Sequence, residues 1–489
     1  MKIAMCSPEM VPFAKTGGLG DVVGALPRAL RSLGADVFVM IPGYTSIDRS
    51  EFRVGRIGKL PVPVGRTVVE AVLKECFAVP DVPVLLLEGG DYFSREGLYG
   101  DEHGDYPDNA ERFAFLARGF LETLKLLDFA PDIVHCHDWQ TGLVPVYLRT
   151  LYSHDPFFSP IRSLFTVHNL AYQGLFPPET LEQVGLDSSL FTPDQLEFWG
   201  KMSFMKGGLV FSDKISTVSP TYAREIQTLE AGCGLDGVLS ARRQDLEGIL
   251  NGIDPLEWNP TTDRALKQQY DRRATRGKLA NKVALQRKTR LKVDESVPLI
   301  GLISRLVEQK GIDLIAHAAD DLLGKRDVQL VILGTGDPRY HKLLEGLAKK
   351  YRKRLSLNIR FDLTLARQIY GGSDFFLMPS RFEPCGLGQM ISFRYGTIPI
   401  VRRTGGFVDT IVDYNQATGE GNGFVFEAYT PAALLSAIDR ALEAYGDKRK
   451  WRSLVQRVMA LDFSWNASAR NYLALYESLT KVAQPQPVA

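Results

Sequence analysis

Short apolar runs, each closed by glycine, proline or a polar cluster, alternate along this chain with longer segments whose apolar residues fall at helical spacing. The pattern opens with strand Ile3–Cys6, a glycine-rich loop over Lys15–Asp21, and a helix carrying Val22, Val23, Leu26, Leu30 and Leu33. Pro27 lies inside that helical pattern, so the helix either kinks or begins there. Gly34 ends it and strand Val37–Ile41 follows. Residues 52–90 read as short strands separated by turn signals, ending in Val84–Leu87. Glu111–Leu127 is a helix with Phe113, Leu116, Phe120, Leu124 and Leu127 on one face. Asp132–His137, Leu164–His168, Lys214–Val218 and Gly248–Leu250 read as further strands. Residues 255–295 break the pattern. They are polar with few large apolar residues, apart from a helical stretch over Leu279–Leu291, and read as a domain junction. The alternation then restarts: strands Pro298–Ile303, Val328–Leu333, Leu357–Phe361, Phe375–Met378 and Ile398–Val401, with helices Ile312–Leu323 and Tyr340–Arg352 between them.

Strands alternating with helices predict parallel, doubly wound sheets, here in two similar α/β halves. Such halves are expected to face a cleft at their strand carboxyl ends, where open α/β sheets bind ligands. A length of 489 residues also exceeds one hydrophobic core. The predicted divisions are 1–255, 256–460 and a terminal segment, 461–489, whose end Gln484–Ala489 (QPQPVA) is expected to be disordered.

The net charge of +1 supplies no global field for nucleic acid or an acidic membrane. The cysteines, Cys6, Cys76, Cys136, Cys233 and Cys385, are odd in number and form no CxxC pair, which points to free thiols in a reducing compartment. The segment MKIAMCSPEM reads as a strand and a proline turn rather than a leader, and no apolar run is long enough to span a bilayer. A cytoplasmic location is the expectation.

The candidate chemistry lies where strands end. Ser380–Met390 (SRFEPCGLGQM) follows the apolar run Phe375–Met378 and Pro379. It holds one carboxylate, Glu383, then Gly386 and Gly388 before a helix with Leu387, Met390 and Ile391 on its apolar face. Bare backbone amides at a helix start favour phosphate, and the carboxylate can bind hydroxyls or stabilise positive charge; a plain Pro/Gly turn is the alternative. Lys15–Asp21 (KTGGLGD) is either a strand-to-helix turn or a second anion cradle with Lys15 as point charge. It matches neither the Walker loop nor the dinucleotide fingerprint. His135 and His137 share one strand face but lack an evident third metal ligand, so satisfaction by backbone groups is the plainer reading. Asp138 and Trp139 follow them and could take sugar hydroxyls and a sugar face. His168 and Asn169 end another strand, followed by AYQG at Ala171–Gly174, and Asn251–Asp254 (NGID) sits before the junction. Arg305 and Lys310, in SRLVEQKG at Ser304–Gly311, are either two solvated charges or a diphosphate clamp. LGTGD at Leu333–Asp337 and RRTGG at Arg402–Gly406 supply more strand-end amides, and no Asp-x-Asp occurs.

Seven of these segments together resemble the bacterial glycogen synthase and plant starch synthase family: KTGGLGDVVGALP (15–27), HDWQTGLVP (137–145), TVHNLAYQG (166–174), NGID (251–254), SRLVEQKG (304–311), SRFEPCGLGQ (380–389) and GTIPIVRRTGG (396–406). They stand in the family's order. The resemblance implies a GT-B architecture, two Rossmann-like domains facing a deep cleft, with a C-terminal helix crossing back to the first domain. It implies retaining transfer of glucose from a nucleotide sugar, usually ADP-glucose, to the non-reducing end of an α-1,4-glucan, without a metal or other cofactor. Lys15 and the Gly17 and Gly18 amides would meet the donor, with Asp21 close by. Asp138, His168 and Asn169 would line the reaction site beside Trp139, and Asn251 would face the donor sugar. Arg305 and Lys310 would hold the diphosphate. Glu383 would bind the donor glucose, with Cys385, Gly386, Leu387 and Gly388 contributing amides. Phe361 would stack on the base. Two departures stand out: Gly388 where the family commonly has Thr, and Ile391 where related retaining transferases complete a Glu-x7-Glu pattern. Base recognition stays open between ADP-glucose and UDP-glucose, and these segments leave the oligomeric state undetermined. Two other readings are a glucan phosphorylase, which needs a pyridoxal cofactor, and a non-catalytic glucan-binding protein.

Overall fold

The computed structural model describes residues 1–76 and 82–481; the expected disorder of Gln484–Ala489 lies outside them. The chain forms two compact units, Met1–Asn251 with Trp465–Ala489, and Gly252–Ser464.

The first unit is built on a nine-stranded sheet. Its order is Leu246–Gly248, Lys214–Thr217, Arg162–Val167, Ile133–His137, Lys2–Cys6, Asp36–Pro42, Val84–Gly89, Thr67–Cys76 and Val54–Val64. The first seven run parallel, with Cys6 opposite Met40 on one side and Cys136 on the other. Lys2–Cys6 is apolar and buried beyond its first residue, as a central parallel strand covered on both faces must be. The short strands expected over 52–90 are instead one long antiparallel hairpin, Val54–Val64 with Thr67–Cys76, turning at Gly65. Pro61 and Pro63 both lie inside Val54–Val64. They are tolerated because Val54–Val64 is the sheet edge, where a missing N–H leaves no partner unsatisfied.

The first helix, Gly18–Ser32, starts inside the stretch that reads as loop and continues through Pro27. It buries Leu19, Val22, Val23, Leu26 and Leu30. The last helix, Trp465–Lys481, packs against it and buries Trp465, Tyr472, Leu475, Tyr476 and Leu479. The C-terminus thus returns to the N-terminal unit because one apolar stripe meets another.

The second unit holds a six-stranded, wholly parallel sheet in the order Leu355–Ile359, Gln329–Gly334, Leu299–Ile303, Phe375–Met378, Ile398–Arg402 and Phe424–Phe426. Numbered along the chain this is 3-2-1-4-5-6, so the winding reverses between Leu299–Ile303 and Phe375–Met378. In the first unit it reverses between Lys2–Cys6 and Ile133–His137. The polar stretch after residue 255 is part of the second unit's core. Its helix, Arg276–Lys288, buries Lys278 and Lys282. Lys282 pairs with Asp374 at 2.7 Å, and Lys278 Nζ donates to Thr397 Oγ1 at 2.6 Å and to the carbonyl of Tyr395 at 3.0 Å. Charged side chains that carry their own partners fill space that apolar periodicity does not reveal.

Candidate active site

In the first unit, the loops leaving the two central strands carry Glu9 and Asp138. Glu9 is a carboxylate the sequence reading missed. It is buried and accepts four hydrogen bonds: the Thr16 amide (2.8 Å), the Thr16 hydroxyl (2.5 Å), the Gly17 amide (3.3 Å) and the Tyr99 hydroxyl (2.7 Å). The Lys15–Gly18 loop is therefore tied down by an acid rather than poised as a bare amide cradle. The Gly17 amide faces Glu9, and Gly18 opens the helix. Lys15 Nζ lies 2.6 Å from Asp21, whose carboxyl is pushed upward by burial against the pull of Lys15. The clue to Glu9 was its place one loop after the central strand.

Asp138 follows strand Ile133–His137 with φ +57°, a left-handed backbone rare outside glycine. Its Oδ1 accepts the His168 amide at 2.7 Å, which joins the ends of two neighbouring strands. Burial lifts its carboxyl from the ordinary range to about 7, against the stabilising bonds from the His168 and Asn169 amides. A carboxylate held near neutrality by desolvation is the kind of group found at reaction centres.

Behind it lies a chain of buried histidines. His137 Nδ1 and His168 Nε2 are 3.0 Å apart, and the His135 and His137 rings lie 4.0 Å apart. His135 contacts Thr166 Oγ1 at 2.6 Å and Tyr476 of the last helix at 2.8 Å. Side chains, not backbone groups, satisfy these histidines. Burial holds all three neutral, with His135 and His168 lowered to about 3 and His137 also far below its ordinary value. His137 Nε2 is buried with no partner. A stranded N–H costs more than a stranded lone pair, so the His137 proton sits on Nδ1 and is donated to His168. His168 then carries its own proton on Nδ1. Among the described residues, no His, Cys, Asp and Glu side chains gather as a metal-ligand group of three.

Trp139 does not present a ring to solvent. It is 8% exposed, packed among Phe113, Phe176 and Phe204 and roofed by Gly174, where a Cβ would lie 2.3 Å from the indole. Its stickiness serves the core of this unit, which corrects the expectation of a sugar platform. Asn169 is half-buried and caps its own turn through the Ala171 amide at 3.1 Å. Asn251 is buried, its Oδ1 without a partner. It stands three residues beyond strand Leu246–Gly248, which ends earlier than the sequence suggested.

In the second unit three motifs converge where the winding reverses. Gly311 (φ +73°) abuts the Pro379 carbonyl, which a Cβ would meet at 2.1 Å. Gly405 (φ +46°) abuts the Glu383 carbonyl in the same way, at 1.8 Å. The Arg381 amide donates to the Gln309 carbonyl (2.8 Å) and the Gly406 amide to that of Glu383 (3.2 Å). Inside this seam Glu383 is 6% exposed, and its Oε2 takes Lys310 Nζ at 2.6 Å and Ser380 Oγ at 2.9 Å. Arg305 shares the Lys310 loop and reaches Gln309 at 3.3 Å. Cys385 is buried, Gly386 adopts φ +72°, Leu387 caps the short helix Gly388–Arg394, and Gly388 lies against Phe376 and Met378. Phe361, beyond strand Leu355–Ile359, is 85% exposed.

Residues 2–241 match the family model for the starch synthase catalytic domain, and residues 286–456 that for glycosyl transferases group 1. The chain is 51% identical to a glycogen synthase of Geotalea daltonii over 477 residues, 97% of this chain and 98% of that protein. It is 48% identical to glycogen synthase 2 of Geobacter sulfurreducens over 477 residues, with the same coverage. The catalytic domain of starch synthase IV from Arabidopsis thaliana, solved bound to ADP and acarbose, superposes with a TM-score of 0.91 at 36% identity, covering 98% of this chain and 99% of that one. A sucrose-phosphate synthase from Thermosynechococcus elongatus shares the fold at a TM-score of 0.63 and 18% identity, over 99% of this chain and all of that one. With two Rossmann-like units, a returning C-terminal helix and relatedness along nearly its whole length, the chain belongs to the glycogen synthase family of GT-B glycosyltransferases, close kin of plant starch synthase.

Proposed function

We propose that this protein transfers glucose from ADP-glucose to the non-reducing end of an α-1,4-glucan, with retention of configuration and without a metal. The observation that carries the reading is the Lys310–Glu383 pair, set beside Arg305 where the second sheet reverses its winding. Leaving of the diphosphate develops negative charge on its oxygens and oxocarbenium character at the sugar. Lys310 has three donors, so it can keep Glu383 and still donate to a phosphate oxygen, with Arg305 adding a second cation. Glu383 holds the donor glucose, and its fixed charge favours the electron-poor anomeric carbon. In the first unit, Asp138 and the His168 Nδ1–H are groups suited to sugar hydroxyls, with Asn251 Oδ1 as a further acceptor. Retention proceeds by front-face attack, the leaving phosphate taking the proton of the acceptor hydroxyl. The ADP held by the Arabidopsis relative supports an adenine nucleotide as donor.

The deciding assay is incorporation of radiolabelled glucose into glycogen from ADP-glucose and, separately, UDP-glucose. Label from ADP-glucose in excess is expected. Label from UDP-glucose alone overturns the donor, and label from neither overturns the activity. A glucosyl adduct trapped on Asp138 or Glu383 overturns front-face attack.

A further inference from the structure

Trp199 stands at the tip of a two-residue hairpin between strands Glu197–Phe198 and Lys201–Ser203. Trp199 and Gly200 have φ +53° and +77°. A turn that needs positive φ at both central positions favours Asn-Gly or Asp-Gly, and an indole there is strained. It is also 82% exposed. Neither the turn nor the core gains from a tryptophan at this position, so its use lies outside the fold.

Its surroundings repeat the same signature. Cys233 has φ +51° and is exposed; the adjoining Gly234 has φ +81°, and a Cβ there would lie 2.9 Å from Phe198 and 3.2 Å from Trp199 Nε1. Gln173 Nε2 donates to the Cys233 carbonyl at 2.9 Å, while Gln173 Oε1 is buried without a partner. Tyr172 is 51% exposed. Gly174, which follows Gln173, roofs Trp139, which adjoins Asp138. Contacts and chain neighbours therefore run unbroken from Asp138 through Trp139, Gly174, Gln173, Cys233 and Gly234 to Trp199. Three of the five positive-φ non-glycine residues described, Asp138, Trp199 and Cys233, lie on this one path.

We propose that Trp199, assisted by Tyr172 and Gln173, is a holding site for the α-glucan chain on the side of Asp138 away from its reacting end. The inference rests on the glucan acceptor of the proposed function. An exposed ring accepts the C–H face of a glucosyl unit, and an unpaired amide oxygen accepts a hydroxyl. A polymer whose terminal residue reacts near Asp138 lays its next residues on the adjoining surface of the same unit.

The test is Trp199→Asn, which installs the residue the turn itself prefers. Its Tm is expected to hold or rise, separating the outcome from misfolding. Retardation in native gels containing glycogen should fall, and KM for glycogen should rise at least five-fold with KM for the nucleotide sugar unmoved. Trp199→Phe should recover most of the retardation. Wild-type transfer with Trp199→Asn retarded as strongly and with unchanged KM overturns the holding site and leaves the proposed activity standing. A wild-type protein that neither binds glycogen nor transfers glucose overturns both. A changed oligomeric state with unaltered glycogen retardation reassigns the tryptophan to a protein contact and overturns the inference.

Discussion

Lys310 and Glu383 are paired before any substrate arrives, so the two halves of the pair fail differently. Lys310→Ala leaves a buried carboxylate with Ser380 but no cation, which costs about 1–3 kcal/mol of stability as well as a donor to the leaving group. Glu383→Gln keeps the shape and a carbonyl oxygen for Lys310 and Ser380, and should fold with a near-native Tm. Each is expected to lower kcat by about 10²–10³-fold, the scale of a lost transition-state donor or charge; near wild-type turnover in either defeats the assignment. Asp138 adds a pH signature. Its carboxyl titrates at about 7, so turnover that depends on the carboxylate should climb as pH rises through 7. In Asp138→Asn that limb should vanish along with most of kcat. A pH–rate profile of the wild type that is flat from pH 6 to 8 would remove Asp138 from the reaction.

At the scale of elements, the helix Gly388–Arg394 starts against strand Phe375–Met378, and the fit leaves no room for a side chain at Gly388. A Cβ on Gly388 would lie 2.9 Å from the Phe376 ring and 3.2 Å from Met378 Cε. Phe376 and Met378 together occupy the volume a threonine would need. Gly388→Thr alone is expected to lower stability by about 1–3 kcal/mol through overpacking. Adding Met378→Val should restore part of it, the Phe376 contact remaining, as chemical denaturation of the two variants will read. No recovery in the double variant means the glycine serves something other than this contact. The helix Trp465–Lys481 makes a similar point about placement. Its periodicity announces an apolar face, but that Tyr476 ends on His135, over 300 residues earlier, follows only from packing.

At the scale of the whole molecule, the buried histidines set an acid limit. Unfolded, His135, His137 and His168 titrate near 6.5; folded, they stay neutral to about pH 3 for His135 and His168, with His137 also far below its ordinary value. Between those limits the unfolded chain binds more protons. The stability they contribute is full above 6.5 and is lost as pH falls. Asp138 acts oppositely: raised to about 7, it binds a proton in the folded state that the unfolded chain releases above about 4. Three groups against one leave a net loss of stability as pH falls from 6.5 toward 4. Urea unfolding at pH 5, 6 and 7 should show it, and His135→Gln should reduce the slope by about a third to a half. An unchanged slope in that variant would place the acid sensitivity elsewhere. The sequence by itself determined the alternation of strands and helices, the two α/β halves and the strand-end motifs, because burial on both faces and tight turns write local, periodic signals. The loop positions of the candidates Lys15, Asp138, His168, Lys310 and Glu383 were legible for that reason. Only the tertiary structure decided that Glu9 grips the Gly17 amide, that Trp139 is core while Trp199 is surface, that Lys278 and Lys282 are buried, and that Lys310 meets Glu383. Those pairings join residues far apart in the chain, and no local pattern records which side chain a sheet's winding will bring to which.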